Sequence, residues 1–253
     1  NDSGAVALIT DAVRLKRIEE ILPNLSTLKL TIVDSLDDAS NPLQTCSWNS
    51  LCNQQSPPIE QCIEKDLAAI LYTSGSTGRP KGVMLSHANV IAGAEIVSDY
   101  LKLSNTDRLL AALPLSFDAG LNQLTTTVLQ GAAAVMISFR FGREIVSQLI
   151  EEKITGLAGV PSLWSLLAQP SSGLGKQPLP HLRYITNTGG AMPQALLRQL
   201  EDQLPSTDIV LMYGLTEAFR STYLPPAELK SRPTSMGKPI PNTEILVIDE
   251  AGK

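Results

Sequence analysis

Residues 184–213 read YITNTGGAMPQALLRQLEDQLPSTDIVLMY, and this stretch decides the fold class. Two short apolar runs, at 184–188 and 209–213, flank a stretch of helical character at 193–204. The same alternation recurs along the chain, where runs rich in Val, Ile and Leu separate longer helical stretches. Strands of a parallel sheet are buried on both faces and therefore read as continuous apolar runs with helices between them. The sequence predicts an α/β fold with parallel-rich sheets covered by helices.

The same patterns predict further strands and helices before and after this stretch. Further strands are predicted at 5–9, 28–33, 67–72, 109–112, 133–137, 157–159 and 245–248. Further helices are predicted at 12–22, 87–101, 121–129, 144–152 and 162–168. Ser86 is placed to cap the helix that begins at His87. The polar segment 34–60 shows little periodicity, so we interpret it as a long surface connection.

Composition excludes several classes of function. The chain has 253 residues, 43% of them hydrophobic, which is enough for one large core or two modest ones. Its 20 basic and 25 acidic residues give a net charge of -5, so no broad positive field is available for a nucleic acid or an anionic membrane. No apolar run reaches the roughly 18 residues of a membrane span, and the start does not resemble a signal peptide. We expect a cytoplasmic protein.

The cysteines do not have the spacing of a metal site. Cys46, Cys52 and Cys62 contain no Cys-x-x-Cys pair, and His87 and His181 are distant in sequence. We therefore expect three unpaired thiols rather than zinc ligands.

The segment Thr73–Gly82, TSGSTGRPKG, has a composition suited to polyphosphate. Glycines let successive N–H groups converge on an anion, hydroxyls donate further hydrogen bonds, and Lys81 supplies positive charge. The spacing differs from that of the usual P-loop. A flexible linker is the alternative, but Pro80 and Lys81 inside the loop argue against a mere tether.

A second motif, Tyr213-Gly214-Leu215-Thr216-Glu217, follows an apolar strand. The Tyr213 ring can stack on adenine, Thr216 can donate to an α-phosphate oxygen, and Glu217 can help to hold Mg²⁺ through oxygen. A strand end with a solvated glutamate is the alternative reading of this motif alone.

The segment Leu71–Gly82 resembles the signature loop of the AMP-forming ligase superfamily, which includes acyl-CoA synthetases, adenylation domains of nonribosomal peptide synthetases and luciferases. The resemblance implies the core of the large N-terminal domain of an adenylate-forming enzyme. It also implies catalytic roles for Thr73, Lys81, Thr216 and Glu217, with Thr73 and Glu217 near the metal. The cofactor-binding residues that it implies are Thr73, Ser74, Gly75, Ser76, Thr77, Gly78, Lys81, Gly190, Ala191, Tyr213, Gly214 and Thr216.

Two further segments are similar to the superfamily's substrate-binding loops. Residues 187–193, NTGGAMP, look like the loop that passes the adenine and the acyl pocket, although a tight strand-to-helix turn explains its glycines too. Residues 114–122, PLSFDAGLN, fall where the superfamily has its acyl-pocket motif. The implied pocket residues are Phe117, Asp118, Asn122 and Gly189.

Asp118 has three possible environments. By resemblance to amino-acid adenylation domains, its carboxylate could pair with a substrate ammonium. A buried carboxylate without a cation is costly, so the alternative within a pocket is a local hydrogen-bond network. A third reading is that Asp118 caps the helix that starts near Ala119.

From this resemblance we expect an AMP-forming acyl-CoA ligase that uses ATP and Mg²⁺, with coenzyme A or a carrier-protein phosphopantetheine as acceptor. The expected partners are a small carboxylic acid and an acyl carrier protein. An amino-acid adenylation domain that loads a carrier protein is the alternative, and a non-catalytic nucleotide-binding module is a third. The superfamily's N-terminal opening, ribose-binding aspartate, hinge and C-terminal lysine domain have no counterpart in residues 1–253. We therefore expect a central fragment with little turnover of its own.

Overall fold

A computed structural model describes residues 2–34, 44–53, 61–75, 78–218, 220–249 and 251. The chain divides into two compact units, Asn1–Cys62 and Ile63–Lys253. We describe each unit by itself.

The first unit is a small three-stranded parallel sheet in the order β1-β2-β3. Its elements are β1 (Ala7–Thr10), α1 (Ala12–Ile18), a 3-10 helix (Glu19–Asn24), β2 (Leu30–Val33), β3 (Gln44–Ser47) and α2 (Trp48–Cys52). Asp11 caps α1 by accepting a hydrogen bond from the Arg14 N–H. Leu15, Leu22, Leu28 and Val33 form the core of the unit. The predicted βαβ unit at the start of the chain is confirmed.

The prediction of a long surface connection at 34–60 is wrong over residues 44–52. β3 pairs with β2 throughout its length, and Ser47 caps α2 by accepting a hydrogen bond from the Ser50 N–H. Pairing with an existing strand stabilises a polar sequence that has too little apolar periodicity to indicate a strand. The rest of the predicted connection, 35–43 and 54–60, lies outside the described residues.

The second unit is built on a seven-stranded sheet in the order β12-β11-β10-β9-β8-β6-β7. The five neighbouring strands β10, β9, β8, β6 and β7 are parallel to one another. β11 pairs antiparallel with β10 on one side and with β12 on the other. The strands are β6 (Arg108–Ala111), β7 (Ala133–Met136), β8 (Gly156–Gly159), β9 (Tyr184–Asn187), β10 (Asp208–Tyr213), β11 (Thr222–Leu224) and β12 (Lys238–Pro239). The five predicted strands at 109–112, 133–137, 157–159, 184–188 and 209–213 are confirmed to within one residue at each end.

Successive residues of β10 face opposite sides of this sheet, and each side is apolar. Ile209 and Leu211 pack in one core with the fully buried Trp164, whereas Val210 and Met212 pack in another. The sheet is therefore covered on both faces. The remaining helical elements of the unit are α3 (His87–Tyr100), α4 (Asp118–Gln130), α5 (Gly142–Glu151), α6 (Pro161–Leu167), a 3-10 turn (Pro170–Ser172), α7 (Gln194–Gln203) and α8 (Pro226–Leu229).

A two-stranded antiparallel hairpin, β4 (Leu67–Thr73) and β5 (Lys81–Ser86), precedes α3. The sequence predicted β4 and α3 but not β5. Within β5, Leu85 is buried while Met84 is exposed, which is the alternation of a strand with one solvated face. Ser86 and Asn89 form the capping box of α3, so the predicted cap is confirmed.

The prediction of a strand at 245–248 is wrong. Residues 243–249 have no regular secondary structure, and Val247 is 96% exposed. An apolar run forms a strand only where a partner supplies backbone hydrogen bonds, and no described strand pairs with this run. No helix in the described part of the chain has the length and apolarity needed to cross a membrane.

Candidate functional site

The fold collects the predicted site loops at one edge of the large sheet. β6, β8, β9 and β10 are mutually parallel neighbours, so the segments that follow their last residues emerge on the same side. We call this side the carboxyl edge. Ligands of open α/β sheets bind outside the carboxyl ends of the strands. The predicted segments 114–122, 187–193 and 213–217 begin at or just after the last residues of β6, β9 and β10.

A cavity of about 490 Å³ opens at the carboxyl edge. Its wall contains Gly189, Gly190 and Ala191 on one side and Tyr213 and Gly214 on another, all of which were predicted from sequence. Its other lining residues are Asn187, Met192, Leu211, Met212, Leu215, Pro233, Thr234, Ser235 and Met236. The volume lies in the range of small-molecule sites in proteins. Thr73, Lys81, Thr216 and Glu217 do not line the cavity.

The Gly189–Ala191 wall is a close-packed turn. Gly189 has a φ of 74°, and a Cβ there would lie 3.1 Å from Val160 Cγ1 and 3.4 Å from Phe117 Cζ. The Asn187 amide donates to the Gly190 carbonyl over 2.9 Å. The Asn187 Oδ1 atom is buried and accepts no hydrogen bond from a described residue. Asn187 thus fixes the turn and keeps an acceptor beside the cavity, a role that the sequence did not indicate.

The Tyr213–Glu217 motif forms the turn that joins β10 to β11. Tyr213 ends β10 and is 41% exposed, so part of the residue is accessible from outside the protein. The Ser221 N–H donates to the Tyr213 carbonyl over 3.0 Å, and the Ala218 N–H donates to the Leu215 carbonyl over 3.1 Å. Thr216 is half-buried and Glu217 is exposed. No described ion pair involves the Glu217 carboxylate.

The glycine-rich segment 74–80 is the loop of the β4–β5 hairpin, with Thr73 and Lys81 paired at its base. Gly75 has a φ of 60°, and a Cβ on it would lie 2.3 Å from the Arg79 carbonyl oxygen. Gly78 has a φ of 78°, but a Cβ there would meet nothing within 4 Å. The loop therefore requires glycine at position 75 for both backbone angle and space. Ser76 and Thr77 lie outside the described residues.

The hairpin is anchored to the rest of its unit by a small apolar cluster. Leu71 and Leu85 are its buried members, and Val90 of α3 and Leu121 of α4 pack against them. The helix α4 also carries Asp118 in its first turn. One helix thus joins the predicted phosphate loop to the predicted acid pocket.

Asp118 forms a buried ion pair with Arg220. Its Oδ2 atom lies 3.1 Å from Arg220 Nη1, and both residues are 4% exposed. Phe117, not Asp118, occupies the cap position of α4, so the capping interpretation is wrong. Asn122, one turn further along α4, is also buried. Sequence reasoning missed the role of Arg220, because it considered a substrate ammonium, a hydrogen-bond network or a helix cap as the environment of Asp118.

A partly buried aromatic pair lies beside Arg220. Tyr100 stacks on Tyr223 with ring centroids 4.3 Å apart. Burial raises the pKa of Tyr100 to about 12, although the charge and the hydrogen bond of Arg220 act in the opposite direction. The phenol therefore stays neutral at physiological pH and contributes no negative charge to the environment of Arg220.

Comparisons with known proteins identify the family of this chain. A family described as AMP-binding enzyme matches residues 1–253. An L-proline–[L-prolyl-carrier protein] ligase from Streptomyces coelicolor is 31% identical over the whole chain, which covers 49% of that protein. A 4-coumarate–CoA ligase-like protein from Arabidopsis thaliana is 28% identical over 91% of the chain, which covers 42% of that protein. The chain thus spans about half the length of these two relatives.

A solved structure extends the similarity to the fold. The structure of an anthranilate CoA ligase in complex with anthranoyl-AMP superposes on the entire chain with a TM-score of 0.85 and 26% identity. The chain covers 48% of that structure. Family, relatives and fold agree, and the chain belongs to the AMP-binding enzyme family of adenylate-forming ligases.

Proposed function

We propose that the full-length protein containing this chain is an AMP-forming acyl-CoA ligase. The observation that carries the proposal is the 490 Å³ cavity, where the Gly189–Ala191 turn and the Tyr213 ring face a common space. A flat aromatic ring and a glycine-rich backbone suit the two faces of a purine. The unpartnered Asn187 Oδ1 would accept a hydrogen bond from the adenine amino group.

In the first step a carboxylate oxygen of the acid bonds to the α-phosphorus of ATP, and the bond from that phosphorus to pyrophosphate breaks. The products are acyl-AMP and pyrophosphate. The hairpin loop would bind the departing pyrophosphate through the hydroxyl of Ser74, backbone N–H groups and the ammonium of Lys81. Thr216 would donate to an α-phosphate oxygen as charge develops there. These side chains thus position the phosphates of ATP and offset their negative charge, and none of the side chains is consumed.

Magnesium fits the residues present. The described chain has no cluster of three or more His, Cys, Asp or Glu side chains that could enclose a metal ion. Mg²⁺ in phosphoryl-transfer sites uses one or two carboxylates and takes its other ligands from phosphates and water. Glu217 and Thr73 would hold it, and the bound ion would offset the negative charge of the leaving group.

In the second step a thiolate would attack the acyl carbonyl carbon and release AMP. We propose coenzyme A as the acceptor and a cytoplasmic location for the enzyme. The carrier-protein alternative is supported by the similarity to a prolyl-carrier protein ligase. In that case a phosphopantetheine thiol on a carrier protein would take the place of coenzyme A.

The direct test is ATP–pyrophosphate exchange by the full-length protein with a panel of fatty, aromatic and amino acids. Exchange that depends on one class of acid is expected. ATP binding without exchange for any acid would instead identify a non-catalytic nucleotide-binding module. Thioester formation with coenzyme A or with a carrier protein then distinguishes the two acceptors.

A pair of glycine variants tests the hairpin loop. Gly75→Ala should lower the exchange rate on the order of 100-fold, because the new Cβ displaces the loop that positions pyrophosphate. Gly78→Ala has a similar φ but open space around it, so its effect should be about tenfold smaller. Equal rates in both variants and the wild type would show that the loop does not position a reacting group.

A further inference from the structure

Methionine side chains are concentrated around the 490 Å³ cavity. The chain has five methionines, all of them described, and Met192, Met212 and Met236 line this cavity. Met192 is 9% exposed and Met212 is 8% exposed, whereas Met236 is 55% exposed. Met84 and Met136 are exposed as well, but they do not line the cavity. Among the five, Met236 alone combines exposure with a place in the cavity wall.

The chemistry of a thioether makes this combination important. A methionine side chain is apolar and polarizable, and it packs well against flat rings such as a purine. Addition of one oxygen to the sulfur converts it into a polar sulfoxide. The oxidant has to touch the sulfur, so a peroxide in solution reaches Met236 before the buried Met192 and Met212. The Met212 sulfur also accepts a hydrogen bond from the Tyr100 hydroxyl over 2.7 Å.

The backbone around Met236 is held in place on both sides. The Thr222 hydroxyl donates a hydrogen bond to the Met236 carbonyl. Gly237 has a φ of 90°, and a Cβ on it would lie 2.0 Å from the Tyr223 carbonyl oxygen. Lys238 then pairs with Tyr223 in the sheet. Because these contacts fix the backbone at the border of the cavity, the side chain alone has to accommodate an added oxygen.

A sulfoxide at position 236 has two places to go, and both disturb the cavity. If the side chain stays in the wall, the polar S–O group faces the ligand without a hydrogen-bond donor from the purine face. If the side chain turns toward water, the wall loses the apolar contact that the thioether supplies. Either conformation lowers the affinity for a flat apolar surface such as that of adenine.

We propose that Met236 is a site of reversible oxidation that lowers the affinity of the cavity for ATP. The proposal rests on the nucleotide-binding role of the cavity proposed above. The thioether sulfur attacks one oxygen of a hydroperoxide, so an S–O bond forms and the O–O bond breaks. The departing oxygen takes the electron pair of that bond and a proton. Sulfur is thus oxidised by two electrons, and hydrogen peroxide is reduced to water. A methionine sulfoxide reductase with a thiol reductant reverses the change.

The test treats the full-length protein with dilute hydrogen peroxide and then with dithiothreitol. The thiol reagent is needed because Cys52 and Cys62 are also exposed, and it reverses disulfide and sulfenic acid formation. Peptide mass spectrometry should find oxygen on the three exposed methionines before the two buried ones. The Kd for ATP, measured by calorimetry, should rise about tenfold, and methionine sulfoxide reductase should restore it.

Three variants assign the effect to one sulfur. Met236→Leu has no sulfur to oxidise, so its Kd for ATP should be the same before and after treatment. Met84→Leu is the matched control at an exposed position outside the cavity, and peroxide should still raise its Kd about tenfold. Met236→Gln carries a polar side chain of similar length, and without any oxidant it should bind ATP about tenfold more weakly than Met236→Leu.

Bound nucleotide should also protect the sulfur. Saturating ATP should slow oxidation of Met236 severalfold and leave that of Met84 unchanged. Complete oxidation of Met236 with an unchanged Kd would overturn the proposal while leaving nucleotide binding intact. The same conclusion follows if Met236 resists peroxide that oxidises Met84, or if Met236→Leu loses affinity as the wild type does. Absence of ATP binding by the untreated, folded protein would overturn the proposed function and this inference with it.

Discussion

Two buried aspartates of the large unit each pair with an arginine, but their surroundings differ. Asp107 precedes β6 and accepts hydrogen bonds from the Ser104 N–H, the Thr155 hydroxyl and the Arg183 guanidinium. Asp118 accepts one hydrogen bond from a described side chain, that of Arg220. Arg183 is 43% exposed, whereas Arg220 is 4% exposed. The Asp107 carboxylate is therefore bound by several groups beside a partly exposed arginine, whereas Asp118 lies beside an arginine that is itself buried.

The difference indicates which pair can respond to a ligand. Every strong acceptor position of Asp107 is used within the protein, so a ligand there would have to replace several bonds at once. Asp118 depends on one partner, so a change in that partner alters the charge of its whole neighbourhood.

Loss of the Arg220 guanidinium should have the largest effect. Arg220→Met leaves a carboxylate buried without its cation, and the free energy of unfolding should fall by about 3–5 kcal/mol. Arg183→Met should cost less than about 2 kcal/mol, because Thr155, Ser104 and water continue to solvate Asp107. Chemical denaturation of the full-length variants measures both. Equal losses would contradict the contrast between the pairs.

Glu217 is an exposed carboxylate, in contrast to the buried Asp107 and Asp118. Glu217→Gln should lower pyrophosphate exchange on the order of 100-fold, because a neutral amide is a poorer ligand for magnesium. Its unfolding midpoint should match that of the wild type, since no described ion pair is lost. Glu95→Gln on α3 is a matched exposed substitution and should retain full exchange. A Glu217→Gln protein with wild-type exchange would remove Glu217 from the proposed machinery.

The Asp107 anchor should make stability depend on pH. Burial alone would raise the pKa of Asp107, but hydrogen bonds from Thr155, Arg183 and the Ser104 backbone hold it below its ordinary value. Because the folded pKa is the lower one, the stabilisation is fully present above the unfolded pKa of about 3.9 and is lost as pH falls through the folded pKa. Asp107→Asn should lower stability by roughly 2 kcal/mol at pH 7 and flatten the profile below about pH 4.

A pH titration of the unfolding midpoint for wild type and Asp107→Asn checks this dependence. Parallel profiles from pH 7 down to about pH 2 would show that Asp107 contributes no pH-dependent stability. The titration of Glu144 is a separate contribution, because backbone hydrogen bonds from Arg140 and Phe141 also lower its pKa. A Glu144→Gln background therefore separates the two carboxyls.

Thr155 should give the smallest effect. Thr155→Val removes the hydrogen bond to Asp107 and the one that Thr155 accepts from the Arg108 N–H. The cost should be about 1–2 kcal/mol, since Arg183 still neutralises Asp107. Thermal unfolding beside Thr106→Val, an exposed neighbour, provides the comparison. A loss as large as that of Arg220→Met would show that the Asp107 pair is as fragile as the Asp118 pair.

The sequence predicted elements well where burial alone decides them. The runs at 184–188 and 209–213 are apolar because they lie inside a sheet covered on both faces, and the structure confirms them. β5 was missed because an antiparallel strand with a solvated face carries a weaker apolar signal, and β11 was missed because a run of three residues is too short to show a pattern. The run at 245–248 has the composition of a strand but no described pairing, and pairing is a tertiary property.

In the candidate site, too, contacts between distant segments could not be predicted from the sequence. Motifs predicted part of the wall of the 490 Å³ cavity, because Gly189, Gly190, Tyr213 and Gly214 lie within two short segments. The partner of Asp118 lies 102 residues further along the chain, and no spacing rule connects the two. The energetic cost of burying the Asp118 carboxylate indicated that it needs a partner, but it did not identify the residue. Only the folded chain identifies Arg220.

The terminal strand of the large sheet has a consequence for association between molecules. β12 is two residues long, and its second residue, Pro239, has no N–H to donate. Lys238 on the same strand lies over the Tyr223 ring and keeps a positive charge at this border. Short length, proline and charge together oppose the docking of a further strand. This border of the sheet is therefore protected from the edge-to-edge stacking that leads to β-aggregation.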